Sequence, residues 1–194
     1  MKKILIAAMG VLMLIRANGQ SAPEGLFIAS KAPDFKAKDQ YGTEIRLKDL
    51  LKKGKVVLVF YRGNWCPYCN KALSRLQDSL QLIKDKGATL LAVSPEKAEG
   101  ISKTTEKTNA EFSVLHDEDL KIMKAYDVAF EVPENTITRY KNAGLDIEKN
   151  NGENGRYLPV PAVYIIDQES TIRYRFFETD YKKRPSVQEL LDNL

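Results

Sequence analysis

The sequence predicts an α/β fold: a central mixed β-sheet with helices on both faces, preceded by a small N-terminal hairpin. Three observations predict it. Apolar runs of strand length alternate with segments whose apolar residues recur at steps of three and four, the pattern of a sheet wrapped by helices. Two of those runs, Val56-Val57-Leu58-Val59-Phe60-Tyr61 and Thr89-Leu90-Leu91-Ala92-Val93, are continuous rather than alternating, as strands buried on both faces must be. The last two runs, Ala162 to Ile166 and Thr171 to Phe177, are joined by the turn residues Asp167 to Ser170, and this hairpin adds antiparallel strands.

The elements follow in order. Met1-Lys2-Lys3 is a short basic start, Ile4 to Ile15 is a run of twelve uncharged residues, and Arg16 to Ala22 is polar with small residues at Ala17 and Gly19. This is the layout of a secretory signal peptide cut before Gln20; a membrane span would need about 20 apolar residues. No cysteine follows the run, which argues against a lipid anchor. Residues 1–19 are therefore expected to be a signal peptide, 20–32 a linker or extended lead-in, and 33–194 a single domain, exported to the periplasm or secreted. Lys2, Lys3 and Arg16 leave with the signal peptide, so the net charge falls from +4 to +1.

Phe35 to Asp39 and Thr43 to Leu47 read as two short strands about the turn Gln40-Tyr41-Gly42, and Lys48 to Lys53 as a helical turn ended by Gly54. After the Val56 to Tyr61 strand, Leu73, Leu76, Leu80 and Ile83 mark one face of a helix closed by Gly87. The Thr89 to Val93 strand ends at Ser94-Pro95. A polar helix over 97–110, a strand over Phe112 to Leu115 and a helix over Glu118 to Val128 come next. Residues 129–158 carry a short helix around Asn135 to Ala143 and a mobile loop from Lys149 to Gly155. At the end of the chain Ser186 and Glu189 fit a capping box ahead of the apolar positions Val187, Leu190, Leu191 and Leu194.

Composition narrows the function. With 30 Lys or Arg against 26 Asp or Glu, the charge is too small and too mixed to suggest nucleic acid. The chain holds two cysteines, Cys66 and Cys69, and a bridge across two intervening residues closes almost no loop, so they are not a structural staple. They stand in Tyr61-Arg62-Gly63-Asn64-Trp65-Cys66-Pro67-Tyr68-Cys69, where a buried strand gives way to a helix. A helix N-terminus puts unpaired N–H groups and the positive end of the dipole beside the first sulfur, which lowers its pKa. Cys66 is thus the expected attacking thiolate, exposed, and Cys69, one turn on and largely buried, the resolving thiol. Pro67 stiffens the first turn and removes an N–H that would go unpaired. Trp65 is read as a shield over the pair or as ordinary packing, and Arg62 as a source of positive potential near Cys66 or as a solvated side chain at a strand end.

The strand, the Trp-Cys-Pro-Tyr-Cys motif, the helix and the later Val160-Pro161 before a hairpin resemble the thioredoxin fold. From about residue 27 the chain more closely resembles the alkyl hydroperoxide reductase and thiol-specific antioxidant group, in its peroxiredoxin-like branch with Cys-x-x-Cys. Ala32-Pro33-Asp34-Phe35, the block Val57 to Cys69 and the tail Leu158 to Asp167 carry that likeness. The resemblance implies a thioredoxin-like (redoxin) domain with an antioxidant role and no bound cofactor. Its Cys66 and Cys69 would cycle between dithiol and disulfide to reduce hydroperoxides or protein disulfides. It also implies a thiol electron donor, either a thioredoxin-like protein or a membrane reductant, and a cis Pro161 packed against the cysteine loop.

Two departures bear on the substrate. Peroxiredoxins place Thr or Ser three residues before the peroxide-reactive Cys, and here Gly63 stands there; they place an Arg near the start of the later strand, and here Pro161 stands there. A peroxidase would need Arg62 or another basic group in its place. Thioredoxins carry a buried carboxylate six residues before the first Cys, and that position is Phe60, so the route by which Cys69 loses its proton is unassigned. The competing class is a non-catalytic thioredoxin-like binding or metal module, with the pair as half of a zinc site. His116 is the only other soft ligand for one, and it also reads as a polar strand end. Covalent haem would need His after Cys69, where Asn70 stands.

Overall fold

The computed structural model describes residues 22–194, so the expected signal peptide lies outside the described residues. The chain begins with the hairpin β1 (Lys36–Lys38) and β2 (Glu44–Arg46), antiparallel about a turn where Gly42 takes a φ of 78°. Then come α1 (Leu47–Leu51), β3 (Lys55–Phe60), α2 (Pro67–Asp78), α3 (Leu80–Asp85), β4 (Ala88–Ser94), α4 (Ala98–Thr108) and β5 (Ser113–His116). The second half holds α5 (Lys121–Ala125), β6 (Ala129–Glu131), α6 (Glu134–Asn142), α7 (Ile147–Asn151), β7 (Tyr157–Pro159), β8 (Ala162–Ile166), β9 (Ile172–Phe177) and α8 (Val187–Asp192).

The central sheet has the order β5-β4-β3-β8-β9. β3, β4 and β5 are parallel, and β8 runs antiparallel to both β3 and β9. This is the mixed sheet that the strand runs predict, closed by the predicted hairpin. Its turn is held by the Asp167 carboxylate, which accepts from the Thr171 N–H at 2.8 Å. Because side chains alternate along a strand, β3 feeds two cores. Val57 and Val59 pack with Leu73, Leu76, Ile83, Ile101 and Leu190 from α2, α3, α4 and α8; Val56, Leu58 and Phe60 pack on the other face with Leu47 and Leu51 of α1 and Met123 of α5. Both faces are covered, which is why the run has no polar alternation.

The structure departs from the sequence reading at several points, each with a local cause. The helix expected from Pro67 to Gly87 is broken at Ser79, whose φ of −108° and ψ of 10° leave the helical region; the Asp78-Ser79 pair favours local bonds over helix interior. The helix expected from Glu118 to Val128 shrinks to α5, because Asp119 and Leu120 both take a φ of 59°. The buried Asp117 carboxylate then starts α5 by accepting from the Ile122 and Met123 N–H groups at 2.8 and 2.7 Å. β6 and β7, which form a separate antiparallel pair, lack the length to register as periodicity.

The expected mobile loop 149–155 is instead part of the packed structure. Asn154 donates to the carbonyls of Pro95 and Asp117 at 2.8 Å each, and Asn151 donates to those of Gly155 and Tyr157. Both amides are buried, so the Asn-rich composition marks an internal bracket rather than a solvated loop. The capping box is half made: Ser186 Oγ accepts from the Glu189 N–H at 3.0 Å, while the Glu189 carboxylate takes the Tyr174 hydroxyl at 2.7 Å. The segment from Gly25 to Ala32 lies along the domain, with backbone bonds from Gly25 to Asp127, Ala29 to Ile172 and Ala32 to Ser170.

Candidate functional site

The cysteine pair sits beyond the carboxyl end of β3, where the sheet changes from a parallel neighbour, β4, to an antiparallel one, β8. Crevices form at such positions because the flanking connections diverge. Cys66 is the N-cap residue of α2, with extended backbone, and Pro67 takes the first helical position, as the sequence predicts. The two cysteines form a disulfide with their Cα atoms 5.2 Å apart. Cys66 Sγ also accepts from the Cys69 N–H at 3.3 Å, so an otherwise unpaired donor of the helix N-terminus points at the sulfur.

Both sulfur-bearing residues are buried, Cys66 at 1% and Cys69 at 0% exposure. This corrects the expectation of an exposed Cys66. The bridge turns its side chain inward to Cys69, into the core shared with Tyr61 and Leu73, with half-buried Trp65 packed alongside. Tyr68, between the cysteines, does face solvent and meets Tyr181 edge to face at 5.8 Å.

Arg62 is also buried, at 5% exposure, which removes the reading of a solvated strand end. Its guanidinium lies between aromatic faces, 4.8 Å from the Trp65 ring and 4.5 Å from that of Tyr181, and donates to the Tyr140 hydroxyl at 2.8 Å. Trp65 and Tyr140 rings are 6.0 Å apart, so Trp65 is both packing for the site and one wall of the arginine's slot. Arg62 opens onto a cavity of about 590 Å³ lined by Phe130, Val132, Tyr140, Leu158 and Pro161.

Pro161 stands next to that cavity, immediately before β8, in trans: the described residues contain no cis peptide bond, which corrects the expected cis-proline. The segment is already satisfied in trans, as the Val160 N–H donates to Val128 and the Pro161 carbonyl accepts from Glu178, and trans is the ordinary state of an X-Pro bond.

A residue that sequence reasoning missed fixes the loop before Cys66. Glu96, just after β4, is fully buried and accepts from the Asn64 N–H and side-chain amide at 2.7 and 2.6 Å. Lys107 of α4 closes the other side, donating to the Asn64 backbone and side-chain oxygens at 2.9 and 3.1 Å, and Asn70 donates to the same carbonyl. The polar helix α4 thus contributes one lysine to the site. The arrangement also explains Gly63: a Cβ there would lie 2.7 Å from the Glu96 carboxyl, at a φ of 152°. His116, at the end of β5, has its ring on the Glu96 carbonyl at 2.7 Å.

Burial raises the Glu96 carboxyl to about 7 against the Asn64 bonds that lower it. Burial likewise raises Asp117, to about 6. A carboxyl raised on folding binds a proton that the unfolded chain releases, so its stabilisation is complete below its unfolded pKa and is lost as pH rises through the folded one. Between pH 6 and 7 most of the slope from these two carboxyls belongs to Glu96, as Asp117 completes its ionisation. We expect urea midpoints of the protein to fall across pH 5 to 7, with roughly 2 kcal/mol attributable to Glu96, and Glu96→Gln to flatten the pH 6–7 part. An unchanged slope in that variant would show that the carboxyl ionises normally.

The second missed residue is Arg184, in the segment between β9 and α8. Its Nη2 lies 3.1 Å from Cys69 Sγ, and its Nη1 donates to the carbonyls of Tyr181 and Lys183 at 2.8 and 2.6 Å. Phe60, at the position where a thioredoxin-like acid was sought, faces the opposite core and packs on Tyr126 and Tyr164.

Comparison with known proteins agrees with this geometry. The AhpC/TSA family model matches residues 28–175. Peroxiredoxin Bcp of Bacillus subtilis is 35% identical over 102 residues, covering 52% of this chain and 64% of that protein. Thiol-disulfide oxidoreductase ResA of Bacillus cereus is 30% identical over 159 residues, covering 78% of this chain and 89% of that protein. Among solved structures, peroxidoxin BcpB of Mycobacterium tuberculosis superposes with a TM-score of 0.66 at 20% identity, over 86% of this chain and 94% of that one, which supports the thioredoxin-like fold.

Proposed function

This chain belongs to the AhpC/TSA family and its chemistry is thiol-dependent redox chemistry; from that premise we propose that it is a thiol-disulfide oxidoreductase in which Cys66 attacks and Cys69 resolves. The observation that carries the reading is the Cys66–Cys69 disulfide at the N-cap of α2. In the reduced protein the Cys66 thiolate bonds to one sulfur of a substrate disulfide and the other sulfur leaves as a thiolate. Cys69 then bonds to Cys66 Sγ, the substrate's remaining sulfur leaves, and the intramolecular disulfide is restored. Two electrons pass from the cysteine pair to the substrate, and a thiol donor of thioredoxin-like or membrane-bound type returns them.

Gly63 favours disulfide over peroxide as substrate, since no hydroxyl stands where a peroxide would be oriented and Glu96 leaves no room for one. A hydroperoxide reading is favoured by a different observation, the guanidinium groups of Arg184 against Cys69 Sγ and of Arg62 against the neighbouring Trp65, which supply positive potential without the arginine of the later strand. Under that reading Cys66 takes one oxygen from the peroxide to become a sulfenic acid, and Cys69 displaces it as water. Insulin reduction coupled to a dithiol, set against single-turnover oxidation by hydrogen peroxide, separates them. We expect catalysed insulin reduction and thiol oxidation by peroxide no faster than that of free cysteine; fast peroxide consumption with inert insulin would reverse the assignment.

The basic start and short apolar run of residues 1–19 support export, with the oxidoreductase domain spanning 33–194. No helix among the described residues is long and apolar enough to cross a membrane.

A further inference from the structure

Two guanidinium groups, those of Arg62 and Arg184, stand at the cysteine site, close enough that the charge of one lowers the pKa of the other. Among the described residues no carboxylate lies within 4.0 Å of a nitrogen of either Arg62 or Arg184. Arg62 Nε has no hydrogen-bond partner there either. Two half-buried or buried guanidinium groups without a counter-ion are costly unless an anion forms between or beside them. Reduction of the disulfide creates such an anion, and the sulfur that Arg184 touches is that of Cys69.

We propose that Arg184 is a catalytic residue that holds the Cys69 sulfur as a thiolate, doing by a fixed cation what a buried carboxylate would otherwise do by taking a proton. The proposal rests on the disulfide-exchange reading and deepens it. When a donor thiolate bonds to Cys66 Sγ, the Cys66–Cys69 bond breaks and its electron pair stays on Cys69, beside the Arg184 Nη2. In the opposite direction that pair forms the bond to Cys66 Sγ and the partner's sulfur departs with its own. No proton need be taken up or released at Cys69 in either direction. Charge-assisted bonds to anions are stronger than neutral ones, so the arginine favours the state in which Cys69 carries the charge.

The surroundings of Cys69 agree with a cationic rather than an acid-base device. Arg62 approaches from the loop before α2, Arg75 of α2 shares with Arg184 a cavity lined also by Val59 and Val163, and Lys107 of α4 is engaged by Asn64. Tyr61, just after β3, is buried with its hydroxyl on Thr104 and its pKa raised by burial. The one buried acid nearby, Glu96, is occupied by Asn64. Burial and then the charge of Arg62 lower Arg184 only to about 10, so it stays cationic at neutral pH.

The test uses the full chain with Cys66→Ser, which leaves Cys69 as its single thiol. Thiolate absorbance at 240 nm, followed against pH, is compared between this variant and its Arg184→Lys and Arg184→Met derivatives. We expect Cys69 to titrate below the ordinary thiol value of about 8.5, Arg184→Met to raise it by about 1 to 3 units, and Arg184→Lys to fall between. Because the titration needs no turnover, it reads the Arg184 role separately from whichever substrate is reduced. If Arg184→Met misfolds, Arg184→Lys alone, checked by circular dichroism, still must shift the titration. A Cys69 value at or above the ordinary one that no Arg184 variant moves would overturn the proposal.

Discussion

Cys66→Ser is expected to reduce turnover with a disulfide substrate by at least about a thousandfold, because it removes the thiol placed at the N-cap of α2. Cys69→Ser should behave differently. Cys66 can still bond to the substrate sulfur, but nothing displaces the product, so the variant accumulates a mixed disulfide. The asymmetry follows from the geometry: Cys66 is the N-cap of α2 and receives the Cys69 N–H, whereas Cys69 lies one turn inside and faces Arg184. Activity assays with both variants, together with mass spectrometry of the adducts, read this directly. Equal residual turnover in the two single variants would mean that the cysteines do not have separate roles.

The second large effect is structural. Gly63→Thr restores the residue type that peroxiredoxins place three positions before the reactive cysteine, yet here it is expected to destabilise rather than create a peroxide site. The added Cβ falls 2.7 Å from the Glu96 carboxyl, which holds the loop through Asn64, and 2.5 Å from Trp65 Nε1. Overpacking and an unfavourable φ together cost on the order of 3 kcal/mol or more, a drop in Tm of about 10 °C for a domain of this size. Calorimetry should show that drop, with no gain in the rate of thiol oxidation by peroxide. A Gly63→Thr protein of native stability that consumes peroxide rapidly would show that Glu96 and Trp65 yield easily and that the glycine is not what withholds peroxide chemistry.

The central sheet was legible because its signals are local. Val56 to Tyr61 and Thr89 to Val93 are unbroken apolar runs, and Asp167 to Ser170 is turn chemistry. The position of Cys66-Pro67 at a helix start was legible for the same reason, since strand, motif and apolar helix face are contiguous. What surrounds the cysteines was not. Arg184 reaches Cys69 across 115 positions from a segment between β9 and α8 with no periodicity, and Glu96 meets Asn64 across 32. Such contacts depend on where two connections cross, and no spacing rule encodes that. One signal was available for Glu96: an acid directly after the Ser94-Pro95 that ends a buried strand tends to stay near that strand's end. Cys66 burial was misjudged because a helix N-cap is usually open, while the bridge here rotates the sulfur inward. Polar composition does not distinguish Asn151 and Asn154 from a solvated loop, because their amides satisfy buried carbonyls that no local pattern reveals.

The account depends most on Cys66 and Cys69 being one redox centre that exchanges electrons with thiols. Equilibrating the full chain in glutathione buffers of graded potential, with free thiols counted by alkylation and mass spectrometry, measures that centre directly. The account predicts a single two-electron transition of the pair between dithiol and disulfide, with a potential within the range of thioredoxin-fold oxidoreductases, roughly −270 to −120 mV. A pair that stays oxidised far below that range, or that stays reduced throughout, would contradict it.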